Sequence, residues 1–182
     1  MAGVGTVTLV DRIADQAAES SSVWAQAVVA SSRRTGDALF GALAGAPYAE
    51  GVETIYEGYL VHHAPRGRVF VAPDRKQGLL LGDYLYATGL VNVCRAGDVD
   101  AIAALADLVS LAAHLRAEGC SVEDGALWLA TARYLAGPRD DSLLVAREAL
   151  RRGDSIPLLA LVKDSEAVAP LAEHRRLMGD PA

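Results

Sequence analysis

The feature that most constrains this chain is a fully punctuated helical segment, "AGDVDAIAALADLVSLAAHLRAEG", residues 96–119. Asp98 stands where an N-cap belongs, and Asp100 falls in the first turn, where the helix dipole favours a negative charge. Ile102, Leu105, Leu108, Val109, Ala112 and Leu115 then recur at helical spacing. Arg116 sits near the end and Gly119 supplies a left-handed stop. A chain holding such an element must find apolar partners for its buried stripe.

Similar signals run through the rest of the C-terminal half. Ser121 and Asp124 have the spacing of a capping box, although Asp is shorter than the usual Glu or Gln. Leu127, Trp128, Thr131, Tyr134 and Leu135 follow at helical spacing until Gly137-Pro138. A further helix starts at Asp140 or Asp141 and closes at Gly153, with Arg147, Arg151 and Arg152 toward its C-terminal end. Ser155 before Ile156-Pro157 predicts a cap with proline in the first turn of a short buried helix, "PLLALVK". "APLAEHRRLMG" predicts a last amphipathic helix starting near Pro170.

In the N-terminal third, Leu9, Ile13, Ala17, Val23, Trp24, Ala27 and Val28 suit a long helix softened by Ser20-Ser21-Ser22. A second helix is expected from about Gly36 to Leu43, and a third over "GVETIYEGYLVHHA", stopped before Pro65. "RVFVA" has strand character, but one short strand without an evident partner predicts a loop. Hydrophobic residues make up 52% of the 182 and aromatics only 5%, so Ala, Leu and Val carry the packing, which suits helices. No repeat or linker divides the chain. The expectation is an all-α fold: one domain over residues 1–182, an antiparallel helical bundle.

Charge and targeting signals narrow the function classes. Lys plus Arg number 17 against 23 Asp plus Glu, a net −6 that speaks against a general nucleic-acid binder. Cys94 and Cys120 have no CxxC partner and read as reduced core thiols. The opening "MAGVGTVTLVDR" lacks the basic and apolar regions of a signal peptide. The longest uncharged apolar stretch, Tyr84 to Cys94, is far short of the roughly 18–20 residues needed to cross a bilayer. No membrane span and a cytoplasmic location are therefore expected.

Among polar residues, His62 and His63 with Arg66 and Arg68 form a candidate substrate-binding group. The arginines suit phosphate, while the plain alternative is a solvated helix end. Asp74, Arg75 and Lys76 make the 62–76 segment the most polar surface. Glu53 and Glu57 share a helix face, read as solvated or salt-bridged, and His174 with Arg175 and Arg176 as a charged helix end. Pairing either cysteine with His114 as a nucleophile is the lesser reading beside core packing. There is no zinc spacing, GxSxG, Walker A or GxGxxG element. Gly82 and Asp83 interrupt the apolar run "LLLGDYLYATGLVNV" and are read as structural. A buried Asp83 would take hydrogen bonds from Arg66, Arg68 or Arg75, and Gly82 would let a neighbour come close.

Thr54 to Glu118 resembles the trans-isoprenyl diphosphate synthases, the polyprenyl synthetase family. "LLLGDYLYATGLVNVCRAGD" comes after "YLVHHAPRGR" as that family's "LxGDYLxAxAxxL" helix comes after its Asp-rich helix and basic loop. "ALRRGDSIPLLALV" is a second, weaker likeness, to the family's "REGKxTLPLLxAL". The resemblance implies an isoprenoid-synthase-like helical fold. The family's chemistry uses two carboxylate clusters that hold magnesium on the substrate diphosphate. Here His62-His63-Ala64-Pro65 stands where the first would lie, and Asp140-Asp141-Ser142-Leu143-Leu144 is the sole candidate for the second. Asp140 and Asp141 are read as caps, and "SSRRTG", residues 31–36, is a faint counterpart of the family's basic diphosphate-gripping signature.

With both carboxylate clusters missing, the resemblance implies a short, non-catalytic member with no metal and no cofactor. It would act as a homodimer or as an accessory subunit beside a catalytic prenyltransferase. The alternative is a protein or enzyme that binds a prenyl or diphosphate ligand in a helical pocket near Tyr56 to Arg68. A third reading is a plain interaction module.

Overall fold

Ten consecutive residues of one helix, Gly51 to Leu60, are buried. A helix enclosed on every side must be the element around which the others pack. The computed structural model describes residues 7–34 and 36–180, without the side chains of residues 121 and 122. The signal-peptide expectation falls mostly on residues 1–6, outside this range. Ten α-helices lie among the described residues. They are α1 Leu9–Ser20, α2 Ser22–Ala27, α3 Phe40–Ala44, α4 Ala49–His63 and α5 Arg75–Cys94, then α6 Val99–Ala117, α7 Ser121–Ala136, α8 Ser142–Arg151, α9 Ile156–Ala160 and α10 Val168–Met178. The all-α class holds, and α4 is the enclosed helix.

α4 and α5 meet along a seam of glycines. A Cβ on Gly51 would come within 2.8 Å of the Gly89 carbonyl oxygen, and one on Gly89 within 2.6 Å of the Gly51 oxygen. One turn-pair further along, a Cβ on Gly58 would stand 2.9 Å from the Gly82 oxygen. Since Gly51 faces Gly89 while Gly58 faces Gly82, the two helices run antiparallel. Gly82 thus leaves room for α4, whose His62 ring lies against it. Side chains at these four positions would push the backbones apart.

Two apolar clusters flank α4. The larger joins Phe40, Val52, Ile55, Tyr56, Tyr59 and Leu60 to Leu105 and Leu108 of α6, Leu127 and Trp128 of α7, and residues of α8 to α10. The smaller joins Val10, Ile13, Ala14 and Ala17 of α1 to Ala27, Val69, Phe70, Leu81 and Leu85.

Local punctuation decides most helix ends. Asp98 caps α6 by accepting from the Ala101 N–H at 3.0 Å, and Gly119 after its end has φ +75. Asp74 caps α5 through the Gln77 N–H at 2.9 Å. Asp140 accepts from the Ser142 N–H at 2.9 Å, whereas Asp141, which stands at the N-cap of α8, makes no side-chain cap bond. Other ends differ. The long N-terminal helix breaks at Ser21, which ends α1 and accepts from the Val23 N–H to start α2. The helix expected over 36–43 is only Phe40–Ala44. Asp154 rather than Ser155 accepts from the Ile156 N–H, and in α9 only Leu158 is buried. α10 begins at Val168, so Pro170 sits in its first turn.

"RVFVA" stays a loop, as expected, although with one unforeseen pairing, and two expectations about burial are corrected. "RVFVA" does find a partner: the Val29 N–H donates to the Val69 oxygen at 2.8 Å and the Val71 N–H to the Ala27 oxygen at 2.7 Å, forming an antiparallel bridge. That partner lies far upstream in the chain, beyond the reach of local pattern. Cys94 and Cys120 are exposed, each at a helix boundary, and are not core thiols. Asp83 is 69% exposed, because α5 turns its glycine face to α4 and the residue after Gly82 points outward. It meets none of Arg66, Arg68 or Arg75.

Candidate functional site

Two groups of charges bear on a site, one inside the molecule and one on its surface, apart from the Asp107, Arg147, Glu148 and Arg151 ion pairs between α6 and α8. Inside, Glu53 and Glu57 share one face of α4 and are both fully buried. Arg68 reaches back from the loop after α4, pairing with Glu53 and donating its Nε–H to Glu57 at 2.6 Å. Glu53 also accepts from the Leu39 and Gly41 backbone N–H groups, at 3.0 and 2.7 Å, which fixes the entry to α3. Arg68 completes its set at the Asp37 carbonyl. Burial raises the Glu57 carboxyl to about 7 against the pull of Arg68, with the nearby Glu53 charge adding to the rise. Its Oε2 has no hydrogen-bond partner among the described residues.

One turn further, a second buried set crosses four elements. The Tyr56 hydroxyl lies 2.9 Å from His174 Nδ1, and His174 Nε2 lies 3.1 Å from Asp124 Oδ1. Asp124 Oδ2 accepts from the Tyr59 hydroxyl and from Arg116 Nε, both at 2.6 Å. Arg116 then grips Asp180 with two bonds of 3.1 and 3.0 Å. Burial would raise the Asp124 pKa, but the His174 and Tyr59 hydrogen bonds and the Arg116 charge hold it below the ordinary carboxylate range. Burial pushes the Tyr56 and Tyr59 hydroxyls well up, so both stay protonated donors.

These interior residues tie α4 to α6, α7 and α10. His174 is therefore no charged surface end, and Asp124 bonds inward rather than capping α7. Sequence reasoning missed this set, and its one signal was the recurrence of Glu53, Tyr56, Glu57 and Tyr59 along α4. Glu53 and Glu57 keep the salt-bridged reading, with solvation excluded.

The surface site is a cleft of about 880 Å³ between residues 26–33, the end of α4 with its following loop, and the first turn of α5. Its walls are mixed: Ala27, Leu60, Val61, Phe70, Val71 and Leu79 make the apolar part, and Gln26, His62 and Asp74 add polar groups. Arg33, Arg66 and Arg75 line it, all exposed. None of the three side chains has a hydrogen bond or ion pair among the described residues.

Of the four residues singled out for binding, His62 and Arg66 line this cleft. Arg68 is turned inward onto the glutamates, and His63 packs on the Tyr59 ring at 4.6 Å. Burial lowers the His62 pKa despite nearby Asp83, and burial with the His62 and Arg116 charges takes His63 to about 4. Both rings are thus neutral at pH 7 and bring no positive charge to an anion. His62 lies against Gly82, its Nε2 3.3 Å from Asp83 Oδ1 but without hydrogen-bond geometry.

Among the described residues, no group of three or more His, Cys, Asp or Glu side chains is placed to hold a metal ion. No protein-family model, curated protein or solved structure matches this chain.

Proposed function

We propose that this chain binds a small amphipathic anion, an apolar chain carrying a phosphate or diphosphate, in the cleft between α2, α4 and α5. The observation that carries this reading is the pairing of unanswered cations with an apolar wall. Among the described residues the side chains of Arg33, Arg66 and Arg75 have no internal partner, while Val61, Val71 and Leu79 offer a surface for a hydrocarbon. The volume falls within the roughly 300–1,000 Å³ usual for small-molecule pockets. Guanidinium groups suit phosphate because their planar N–H array matches its oxygens. The resemblance to isoprenyl diphosphate synthases makes a prenyl diphosphate the first ligand to try. An accessory role beside a catalytic prenyltransferase is compatible with such binding, but the cleft is the more specific support.

Calorimetric titration with a short prenyl diphosphate, inorganic pyrophosphate and the free prenyl alcohol tests this. The diphosphate should bind more tightly than either half. Arg66→Glu should weaken it by about tenfold or more, the scale of one lost charged hydrogen bond. Equal binding of diphosphate and alcohol, or no heat from any of the three, would remove the reading.

A further inference from the structure

The cleft opens onto a surface whose makeup runs against the rest of the chain. The protein carries a net −6, yet Arg33, Arg66, Arg75 and its neighbour Lys76 are all exposed there. None is neutralised by an ion pair among the described residues. The carboxylates on this side are Asp74, which lines the cleft and caps α5, and Asp83, which is 69% exposed, and the four cations outnumber them. Between the cations stand aliphatic side chains in water: Val71 is 56% exposed, Leu79 45% and Leu80 61%. Val71 and Leu79 belong to the cleft itself, and Leu80 comes one helical turn after Lys76.

We propose that this face docks on the surface of an anionic lipid bilayer. Interleaved cations and aliphatic groups are what an interfacial surface needs. The cations meet lipid phosphates, and the aliphatic groups enter the acyl boundary. Either component alone would be weaker, and here both converge on one mouth. The acidic remainder of the molecule is repelled by the same leaflet, which orients the cleft toward the lipid. Nucleic acid is a poorer occupant, since Phe70 in the cleft wall is buried and offers no open ring face for base stacking. An acidic protein would satisfy the arginines but leave Leu79 and Leu80 without a match. The contact is with the bilayer surface; no described helix is long and apolar enough to cross a membrane. Resting on the ligand reading above, the docking also gives the amphipathic anion its source, drawn from the leaflet into the cleft.

The test is co-sedimentation of the full chain with vesicles of phosphatidylcholine alone and of phosphatidylcholine mixed with phosphatidylglycerol. Partition onto the mixed vesicles should be about tenfold or more stronger and should fall as salt rises. Leu80→Asp and Lys76→Glu, both exposed and outside the cleft lining, should each cut it by about fivefold, with an unchanged thermal midpoint. Leu80→Asp should leave titration with the soluble prenyl diphosphate unchanged. Equal partition onto neutral vesicles, or mixed-vesicle binding indifferent to both variants, overturns the proposal. So does binding of the soluble diphosphate, an acidic protein or nucleic acid with no vesicle binding. Variant-sensitive vesicle binding without diphosphate binding supports the docking and removes the ligand reading instead.

Discussion

Arg68 and Arg66 are close neighbours in the chain, and their surroundings could hardly differ more. Arg68 is 3% exposed and meets two carboxylates and a carbonyl. Arg66 lines a cleft, and its side chain has no hydrogen bond or ion pair among the described residues. The first belongs to a set of charges that answer one another, so it specifies how the loop returns to α4. The second keeps its hydrogen-bonding capacity for something outside. Charge alone does not mark a binding site; charge left unanswered beside an apolar wall does.

The contrast can be broken most sharply at Arg68. Arg68→Met leaves Glu53 and Glu57 buried together without a cation, and should cost about 3–5 kcal/mol in denaturant titration. A loss under about 1 kcal/mol would mean that the pair reaches water, and the distinction between inner and outer arginine would collapse.

Next in size is the seam that sets the distance between the inner set and the cleft. Gly89→Ala places a methyl group 2.6 Å from the Gly51 oxygen and against Ile55, and should cost about 1–3 kcal/mol. An unchanged midpoint in thermal unfolding would show that α4 and α5 separate freely.

The inner set should also leave a mark on pH dependence. With Glu57 raised to about 7 from an ordinary 4.5, the folded state holds a proton that the unfolded chain releases between those values. Its contribution therefore falls as pH rises from about 4.5 to about 7. Asp124, held low, acts in the opposite sense: its contribution is present above the ordinary carboxylate range and is lost as pH falls through its depressed pKa. Glu57→Gln should flatten the neutral-side slope and leave the acid-side loss in place, as read by midpoints across a pH series.

The smallest effect belongs to Asp83. Exposed and in contact only with a neutral His62, it should change stability by no more than about 0.5 kcal/mol when replaced by Asn. A large loss would restore the structural role that its place in an apolar run suggested.

How much of the fold and the site is legible in the sequence depends on distance along the chain. The cap at Asp98, the stop at Gly119 and the extent of α4 rest on contacts within a turn, and local residues specify them. The shared face of Glu53 and Glu57 comes from helical spacing, so a salt-bridged reading is within reach. Which cation meets them is not, because Arg66 and Arg68 differ only in how the loop turns. Asp83 is misplaced for a different reason. α5 is apolar nearly all round, with Leu80 and Val91 outside and Leu81 and Leu85 inside, so its pattern gives no sign of which face is wet. The inner face is marked by small residues, Gly78, Gly82 and Gly89, rather than by large ones. His174 meets Tyr56 from the far end of the chain, and no local signal announces that pairing.

The bridge between residues 27–29 and 69–71 gives the cleft its own clock. Two amide protons, those of Val29 and Val71, stitch one wall to the other. Deuterium can replace them only when the walls part, whereas the enclosed amides of α4 wait for far larger openings. The exchange lifetimes of these two protons, followed with and without lipid, would time the opening of the pocket independently of whatever enters it.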